Sequence, residues 1–366
     1  MSNSRKRPNR APTLADVGRE AGVSAMAASA VLNGARTSTR ISRETRARIR
    51  EAALKLGYRP NAAARALAQR RMHTLGVAAI INEGGEFDHY FLGVFNGIIS
   101  NAAIHNQNTT VFALHDWDRD SHLIPGFCDG RIDGLILIAP VFRTPPEKLA
   151  PPHTPFVALH ANSALPGVVN IGTDEEEGAF KMVSELVASG HRRILHLTGP
   201  RGLIGPEARI TGYRRALEAH GLAFDQDLVV DSEFTTPAGR ASLASWMSKH
   251  IGQPLPDAIF AVNDAVAMGC MEVLAKAGYS IPKDISVTGF DDTLAARMTI
   301  PQLTTVAQPL RQMGMRAVDE LLERIKHQRE HIPTEASSQI VLPVEIVHRS
   351  STRRPSAQRP KIRPPE

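Results

Sequence analysis

Cysteine is scarce in this chain, and its scarcity excludes several classes of protein. The 366 residues include two cysteines, Cys128 and Cys270, which lie far apart. Two isolated cysteines cannot form a cysteine-rich zinc module, and they argue against a disulfide scaffold. We therefore expect a cytoplasmic protein. Hydrophobic residues make up 42% of the chain, which suits globular domains with their own cores.

Several motifs are also missing. No apolar run approaches the roughly 18 residues of a membrane span, and the basic start, MSNSRKRPNRAP, lacks the apolar stretch expected of a secretory signal. Neither GxGxxG after a predicted strand nor a GxxxxGKS or GxxxxGKT loop occurs, so nothing supports a nucleotide cofactor. The histidines lack metal-ligand spacing, and no nucleophile motif stands out. We therefore expect no cofactor, no metal and no enzymatic activity.

Charge is distributed unevenly along the chain. Residues 1–72 contain 16 Lys and Arg against 4 Asp and Glu, whereas residues 73–348 contain 21 against 32. The last segment, 349–366, contains 6 against 1. A basic head on an acidic body is typical of a nucleic-acid-binding module joined to another domain, although a solvated basic face would give the same counts.

The basic N-terminal segment has the pattern of three short helices. Thr13 and Asp16 can form a capping box, and Gly22 ends the run of helical spacing that follows. Ser24 begins a second helix, and a third is predicted from about Ser42 to Leu56. Two short helices joined by a glycine-containing turn form a helix-turn-helix. Arginines suited to DNA phosphates lie on the polar side of this unit: Arg36, Arg40, Arg43, Arg46, Arg48 and Arg50.

The same segment resembles the DNA-binding head of the LacI/GalR family of repressors. The matching stretches are TLADVGREAGVSAMAASAVLNG (13–34) and ISRETRARIREAALKLGYRPNAAARALA (41–68). This resemblance implies that the second helix is a recognition helix in the major groove. The residues that it implies as DNA contacts in the head are Thr13, Ser24, Ala25, Met26, Ser29, Ala30, Asn33, Arg40, Ser42, Thr45 and Tyr58.

The recognition helix departs from the common family pattern at its base-reading positions. Ala25, Met26 and Ala30 occupy these positions, and many family members have Arg at the position of Ala30. Alanine and methionine cannot form the bidentate hydrogen bonds that identify guanine or adenine, but they can contact thymine methyl groups. We therefore predict operator half-sites with A·T pairs under this helix.

Residues 60–72 are predicted to be a hinge between two domains. An isolated alanine-rich helix after Pro60 would be marginal in water, so it should form only with support from DNA and a partner chain. The resemblance implies a hinge helix in the minor groove, with Leu67 wedged between base pairs. Asn61, Ala64 and Arg65 would contact DNA beside it. An ordinary linker is the alternative.

From residue 73 the pattern changes to strands that alternate with helices. Apolar runs of strand length lie at 75–81, 109–114, 134–139, 156–159, 193–198, 258–262 and 285–290. Helical stretches lie at 91–105, 177–189, 208–219, 265–277 and 308–326. Buried strands separated by helices predict parallel sheets. About 275 residues suggest two doubly wound lobes with a cleft at the carboxyl ends of their strands.

The resemblance to the family continues through this body, in stretches such as RIDGLIL (131–137), GHRRILHLTGP (190–200) and IPKDISVTGFDD (281–292). It implies the fold of periplasmic sugar-binding proteins, with an effector in the cleft. A charged fork, an amide and a carboxylate can hold ligand hydroxyls. The implied contacts are Arg209, Phe234, Asn263 and Asp291, with His160, Asn82 and Phe91 as further candidates.

Each of the four main candidates also has a purely structural interpretation. Asp291 could cap a turn, Arg209 could form a surface ion pair, and Asn263 could cap a helix. Phe234 could belong to the core. The cleft could hold a sugar, a sugar phosphate, a nucleobase or nothing at all, and the sequence does not choose between them.

The sequence therefore predicts an all-α helix-turn-helix head plus an α/β body of two doubly wound parallel-sheet lobes of periplasmic-binding-protein type. We expect a homodimeric transcription repressor that binds double-stranded operator DNA under control of a sugar-like effector. A sugar-binding sensory protein without DNA function is the alternative. The expected segments are a basic disordered arm (1–12), the DNA-binding domain (13–59), the hinge (60–72), the effector and dimerisation body (73–348) and a disordered basic tail (349–366).

Overall fold

The structure of the chain is a computed structural model. It describes residues 11–34, 40–60, 66, 71–81, 88–142, 149, 151, 153–163, 165–333, 338–353 and 360–363. The chain divides into two compact units. Residues 1–74 with 130–133 form the first unit, and the remaining residues form the second.

The first unit contains a head of three helices, as the sequence predicts. Each helix begins at a hydroxyl side chain, Thr13, Ser24 or Ser42, that accepts a hydrogen bond from a backbone amide of the first turn. Thr13 and Asp16 complete the predicted capping box. The helices are α1 (Leu14–Ala21), α2 (Ala25–Leu32) and α3 (Arg43–Lys55).

A small apolar core holds the head together. Val17, Ala28 and Ile49, one from each helix, are fully buried. Gly22 ends α1 with a positive φ of 66°, a conformation that glycine adopts without strain. Gly18 lets α1 approach the turn closely, because an added Cβ would lie 2.8 Å from the carbonyl oxygen of Val23. The apolar core residues and the two glycines therefore fix the position of α2 against α1 and α3.

The second unit contains two α/β lobes. The strands of the first lobe are β1 (Thr74–Ile80), β2 (Asn108–Leu114), β3 (Gly134–Ile138), β4 (Phe156–Leu159), β5 (Val169–Thr173) and β11 (Gln339–Leu342). Those of the second lobe are β6 (Ile194–Leu197), β7 (Val229–Val230), β8 (Ala258–Ala261), β9 (Ser286–Asp291), β10 (Thr304–Ala307) and β12 (Glu345–Val347). The helices are α4 (His89–Ile104), α5 (Trp117–Asp120), α6 (Ile124–Phe127), α7 (Glu175–Ala188), α8 (Ile204–Ala219), α9 (Thr236–Lys249), α10 (Asp264–Lys276), α11 (Leu294–Met298) and α12 (Leu310–Glu330).

Both sheets are doubly wound, as expected. The strand order is β11-β5-β4-β3-β1-β2 in the first lobe and β12-β10-β9-β8-β6-β7 in the second. The central strands pair in parallel, and β12 pairs antiparallel to β10 at one edge. Strands β3, β4, β6 and β8 are buried along their whole length, which explains the continuous apolar sequences of β3, β4 and β8; β6 includes one polar residue, His196.

Several strands are not predicted by the apolar pattern, because their residues are not continuously apolar. Strand β5 reads VNIGT and strand β10 reads TTVA, and both are nevertheless mostly buried. Strands β7, β11 and β12 have only two to four residues each. Within the described chain, the polypeptide passes between the lobes at residues 173–175, 307–310 and 342–345. These crossings bring polar side chains to the boundary between the lobes.

Helices α4 and α12 of the first lobe pack with their backbones in close contact. A Cβ added at Gly97 would lie 2.0 Å from the carbonyl oxygen of Arg311, and one added at Gly314 would lie 2.1 Å from that of Val94. No side chain fits at such distances, so the two helices would have to move apart.

We predict that Gly97→Ala lowers the free energy of unfolding of the body by about 1–3 kcal/mol, because the added methyl overpacks this contact. Gly126→Ala is the matched control, since a Cβ at Gly126 meets no atom within 4 Å. It should change stability by less than about 0.5 kcal/mol. Urea denaturation of both variants checks the prediction, and equal stabilities would contradict it.

The expectation of a disordered tail is wrong for residues 349–353 and 360–363. The Ser351 side chain is fully buried, where its hydroxyl donates to the carbonyl of Val287 (2.6 Å) and accepts from the amide of Thr304 (2.8 Å). The Ile362 side chain is 2% exposed and joins the core of the second lobe. The Pro- and Arg-rich composition of this segment does not reveal that the side chains of Ser351 and Ile362 are buried in the second lobe.

Candidate functional site

The α2 helix of the head exposes the residues predicted to read bases. Ala25 is exposed, and the Met26 side chain is 72% exposed. Ser29 and Ala30 are half-buried. The Ser24 hydroxyl accepts from the amide of Ala27 (3.1 Å) and so fixes the N-terminus of the helix. This surface is small and lacks charge, and it can make apolar contacts with base edges.

Helix N-caps lie before and after α2 along the chain of the head, and exposed arginines follow it. Arg40, Arg43, Arg46, Arg48 and Arg50 are exposed. Of the other predicted DNA contacts, Thr13 and Ser42 are helix caps, and the Thr45 hydroxyl lies 2.9 Å from that of Ser42. Tyr58 packs, half-buried, against the head core.

The position of Asn33 in the structure does not agree with the prediction that this residue contacts DNA. Its side chain is 2% exposed, and its amide nitrogen donates to the hydroxyl of Ser29 (3.3 Å). The structure therefore gives Asn33 a packing role at the end of α2, because a buried amide cannot reach DNA as it is placed. The predicted hinge contacts Asn61, Ala64, Arg65 and Leu67 lie outside the described residues.

A cavity of about 420 Å³ lies between the two lobes of the body. Residues at the carboxyl ends of strands from both sheets line it, which is the expected position of a ligand site in doubly wound sheets. His160 follows β4 and Asp291 ends β9. Arg209 enters from α8, and Tyr90 and Glu175 enter from the first turns of α4 and α7.

Five predicted effector contacts line this cavity: His160, Arg209, Phe234, Asn263 and Asp291. The prediction for Phe91 is wrong, because its ring is 3% exposed and packs in the first-lobe core against Phe95. The preceding residue, Tyr90, faces the cavity instead. Asn82 lies outside the described residues.

A buried ion pair joins Arg209 to Glu175. The guanidinium donates to the Glu175 carboxylate and to the carbonyl of Val262, and it lies 3.8 Å above the centroid of the Phe290 ring. The Arg209 and Glu175 side chains are 8% and 12% exposed, so the pair is largely desolvated. Burial pushes the pKa of Glu175 upward, but the nearby guanidinium outweighs it, so this pKa ends below its usual value. Arg209 thus belongs to a buried ion pair with Glu175 and not to the surface ion pair considered above.

A chain of hydrogen bonds runs across the floor of the cavity from the first lobe to the second. The Tyr90 hydroxyl lies 2.5 Å from Nδ1 of His160, and Nε2 of His160 lies 3.1 Å from the Thr173 hydroxyl. Thr173 donates to Oε1 of Gln308 (2.7 Å), and Nε2 of Gln308 donates to Asp291 (2.6 Å). Gln308 therefore links the two lobes.

The protonation of this chain follows from its donors. Because the Thr173 hydroxyl donates to Gln308, it accepts from Nε2–H of His160, and Nδ1 of His160 then accepts from Tyr90. Burial lowers the pKa of His160 to about 4, which keeps the imidazole neutral. Burial also raises the pKa of Asp291 well above its usual value.

Asn263 and Phe234 have structural partners as well as a place in the cavity wall. The Asn263 side chain caps α10 by accepting from the amide of Val266 (2.8 Å), and it donates to the carbonyl of Phe234 (2.9 Å). The cap considered from the sequence is therefore present. The Phe234 ring lies close to Gly199, packs against the second-lobe core and is half-buried. It offers an apolar face to the cavity.

Tyr90, Glu175 and Gln308 also line the cavity, although no pattern in the sequence indicated them. Tyr90 and Phe91 are adjacent aromatic residues, and only the exact start of α4 decides which one faces the cleft. Glu175 follows β5, a strand that the apolar pattern did not show. The short run TTVA (304–307) directly before Gln308 could have indicated the end of a strand.

Neither a membrane helix nor a metal cluster is found among the described residues. None of their helices is long and apolar enough to cross a membrane. In that part of the chain, no group of three or more His, Cys, Asp or Glu side chains could hold a metal ion.

A helix-turn-helix head and a two-lobed body with an interlobe cavity define a class of ligand-responsive DNA-binding regulators. Residues 13–61 match the model of bacterial regulatory proteins of the lacI family, and residues 183–352 match that of the periplasmic binding protein-like domain. The chain is 30% identical to catabolite control protein A of Priestia megaterium over 93% of this chain and 99% of that protein. The chain belongs to the LacI family of transcriptional regulators.

Solved structures agree with this assignment. The Lac repressor dimer bound to operator and the anti-inducer ONPF has a TM-score of 0.76 and 25% identity, covering 94% of this chain and 100% of that one. The complex of the regulator CelR with cellobiose has a TM-score of 0.66 and 26% identity, covering 93% and 99%. The fold class predicted from the sequence is confirmed: a helical head followed by two parallel-sheet lobes.

Proposed function

We propose that this regulator binds an operator as a homodimer and that a small molecule in the interlobe cavity controls its affinity for that operator. The observation that carries the proposal is the cavity itself, in which Arg209, Asn263 and Asp291 meet side chains of the first lobe. A ligand that contacts both lobes favours one relative arrangement of them, and it shifts the DNA-binding equilibrium only through differential affinity. The protein works in the cytoplasm and at the nucleoid, without catalysing a reaction.

Exposed apolar side chains support a dimer. Leu294, Met298 and Ile300 are 66%, 73% and 97% exposed around α11. Leu92, Ile99 and Ile104 form a second exposed set on α4. Apolar patches of this kind mark protein contacts, and a second copy of the chain is the occupant that two operator half-sites require. The Lac repressor of similar fold is a dimer on its operator.

Differential scanning fluorimetry of the full-length chain with sugars, nucleobases and their derivatives tests the effector part of the proposal. A metabolite that occupies the cavity should raise the melting temperature, because it binds the folded body and not the unfolded chain. The same metabolite should change operator affinity in a gel-shift assay. A ligand that stabilises the body while no operator is ever bound would favour the alternative, a sensory protein without DNA function.

We predict that operators selected from random duplexes have A·T pairs under α2, because Ala25 and Met26 expose only apolar groups there. Ala30→Arg should create a preference for guanine of about tenfold at one position, since arginine can bind the guanine edge with two hydrogen bonds. Ala47→Arg is the matched control, because Ala47 is exposed on α3 and the substitution adds the same positive charge to the head. Obligatory G·C pairs in the wild-type selection would contradict the prediction.

A further inference from the structure

The tail segment, residues 360–363 with the sequence PKIR, lies extended on the second lobe. The exposure of its side chains alternates, because Lys361 and Arg363 are exposed whereas Ile362 is 2% exposed. Alternation with a period of two is the pattern of a strand that lies on an apolar surface. The one buried side chain, Ile362, joins the second-lobe core. The tail segment therefore contacts the body as a strand would.

One edge of the tail segment pairs with the loop that precedes β8. The amide of Leu255 donates to the carbonyl of Pro360 (2.9 Å), and the amide of Gly252 donates to that of Ile362 (3.0 Å). In the other direction, the amide of Ile362 donates to the carbonyl of Gln253 (2.9 Å). The pairing is antiparallel. Three main-chain hydrogen bonds thus attach this edge to the body.

The opposite edge of the tail segment bonds to a single tyrosine hydroxyl. Tyr279 donates to the carbonyl of Lys361 (2.9 Å) and accepts from the amide of Arg363 (3.0 Å). In a parallel ladder, these two groups bond to the amide and the carbonyl of one residue of the neighbouring strand. The Arg363 guanidinium also lies 5.6 Å from the centroid of the Tyr279 ring. The hydroxyl therefore takes the place of a second strand.

The surface that receives the tail segment is held by contacts within the body. The carbonyl of Pro254 accepts from Nη1 of Arg193 (2.6 Å), which fixes the loop before β8. The amide of Tyr279 donates to the carbonyl of Leu274 in α10 (2.9 Å), and the Tyr279 side chain belongs to the second-lobe core. Because these contacts do not involve the tail, the second lobe builds the surface and the tail segment is added to it.

We propose that the second lobe has a peptide-binding groove, the tail groove, formed by residues 252–255 and Tyr279. Its ligand is an extended peptide with a buried isoleucine between two basic residues, and in this chain the tail segment occupies it. Main-chain hydrogen bonds supply affinity and the isoleucine pocket supplies specificity, as in other sites that accept an added strand. The groove lies before the amino end of β8, whereas the interlobe cavity lies at the carboxyl ends of the strands. It is therefore separate from the effector site and does not depend on the proposed function.

The covalent link keeps the tail groove filled. Residues 354–359 connect the tail segment to Arg353, whose amide donates to the hydroxyl of Ser286 (3.2 Å). A short link holds a ligand near its site at an effective concentration on the order of millimolar. A separate peptide has to compete with the tail, so its apparent affinity is reduced to the fraction of chains in which the groove is empty.

Fluorescence anisotropy with a labelled peptide of residues 357–366, AQRPKIRPPE, tests the inference on full-length chains. Ile362→Asp places a charge in the apolar pocket, so the tail should leave the groove. The peptide should bind this variant at least about tenfold more tightly than the wild type, and it should raise the melting temperature of the variant. Ile332→Asp is the matched control, because Ile332 is 42% exposed beyond the end of α12, and it should bind like the wild type. A peptide with the same Ile362→Asp change should bind none of these chains.

A second substitution tests the geometry of the groove. Tyr279→Phe, made in the Ile362→Asp chain, keeps the ring but removes two hydrogen bonds, so it should weaken peptide binding about tenfold. A folded Ile362→Asp chain that does not bind the peptide overturns the inference. Equal affinity of the wild type and Ile362→Asp also overturns it, because the tail would then not fill the groove. An Ile362→Asp chain that cannot fold overturns it as well, since Ile362 would then be an inseparable part of the core.

Discussion

Replacing Arg209 with methionine should lower the free energy of unfolding of the body by about 3–5 kcal/mol and abolish the response to effector. The methionine side chain keeps much of the packing on Phe290 but leaves the Glu175 carboxylate buried without its cationic partner. Breaking one side of a buried pair costs far more than the pair contributes, because the remaining charge is desolvated and uncompensated. Urea denaturation followed by circular dichroism measures the loss.

Arg201→Met is the matched control for this experiment. Arg201 pairs with Asp231 at 2.5 Å, but both side chains are substantially exposed, so its loss should cost less than about 1 kcal/mol. Arg209→Met combined with Glu175→Gln should recover part of the lost stability, since no unpaired charge then remains. Equal losses in the two single variants would show that Arg209 and Glu175 are not a desolvated pair.

Lowering the pH from 7 to 4 should destabilise the body by about 3 kcal/mol through His196 alone. This imidazole is fully buried in β6, donates from Nδ1 to the carbonyl of Phe260 (2.8 Å), and stacks on Tyr213 and Phe260. Burial lowers its pKa to about 4. The unfolded chain takes up the proton near pH 6.5, so between pH 6.5 and 4 it binds more protons than the folded chain. Stability from this group is therefore full above that window and is lost as the pH falls.

Unfolding free energies measured at several pH values test this prediction. In His196→Gln the dependence of stability on pH between 6.5 and 4 should be weaker by about one proton. His220→Gln, a change at an exposed histidine at the end of α8, should leave the dependence as it is in the wild type. The prediction fails if His196→Gln and the wild type lose the same free energy over this range.

The sequence could predict the head and the central strands because local signals specify them. Thr13, Ser24 and Ser42 mark three helix starts, and each hydroxyl accepts the expected amide. The runs at 134–138 and 258–261 are strands buried on both faces, for which continuous apolar sequence is sufficient. In these places the chain's local preferences and its tertiary environment agree.

The details of the cavity depend on contacts that are distant in sequence. Whether Tyr90 or Phe91 faces the ligand depends on how α4 is rotated, which its close packing against α12 helps to fix. Likewise, Arg209 can pair with Glu175, and Gln308 can bond to both Thr173 and Asp291, only after the two lobes have folded and distant parts of the chain lie side by side. Spacing along one element cannot reveal partners 34 or 135 residues away.

The tail and Asn33 show the limits of composition and of motif matching. The Pro- and Arg-rich tail contains Ile362, whose burial requires a gap in the second-lobe core that only the folded body provides. Asn33 stands within the matched signature, yet its amide is buried against the end of α2. A motif identifies the element, whereas packing decides which of its side chains are exposed.

The most direct test of ligand-controlled operator binding is the affinity of the purified full-length chain for duplexes from its own genome and for random duplexes at physiological salt. We expect at least one genomic fragment to bind about a thousandfold more tightly than random duplex, and a cavity ligand to change that affinity about tenfold. Equal affinity for genomic and random duplexes, both without ligand and with every compound that stabilises the body, would contradict the assignment of α2 as a reader of operator DNA governed by the cavity.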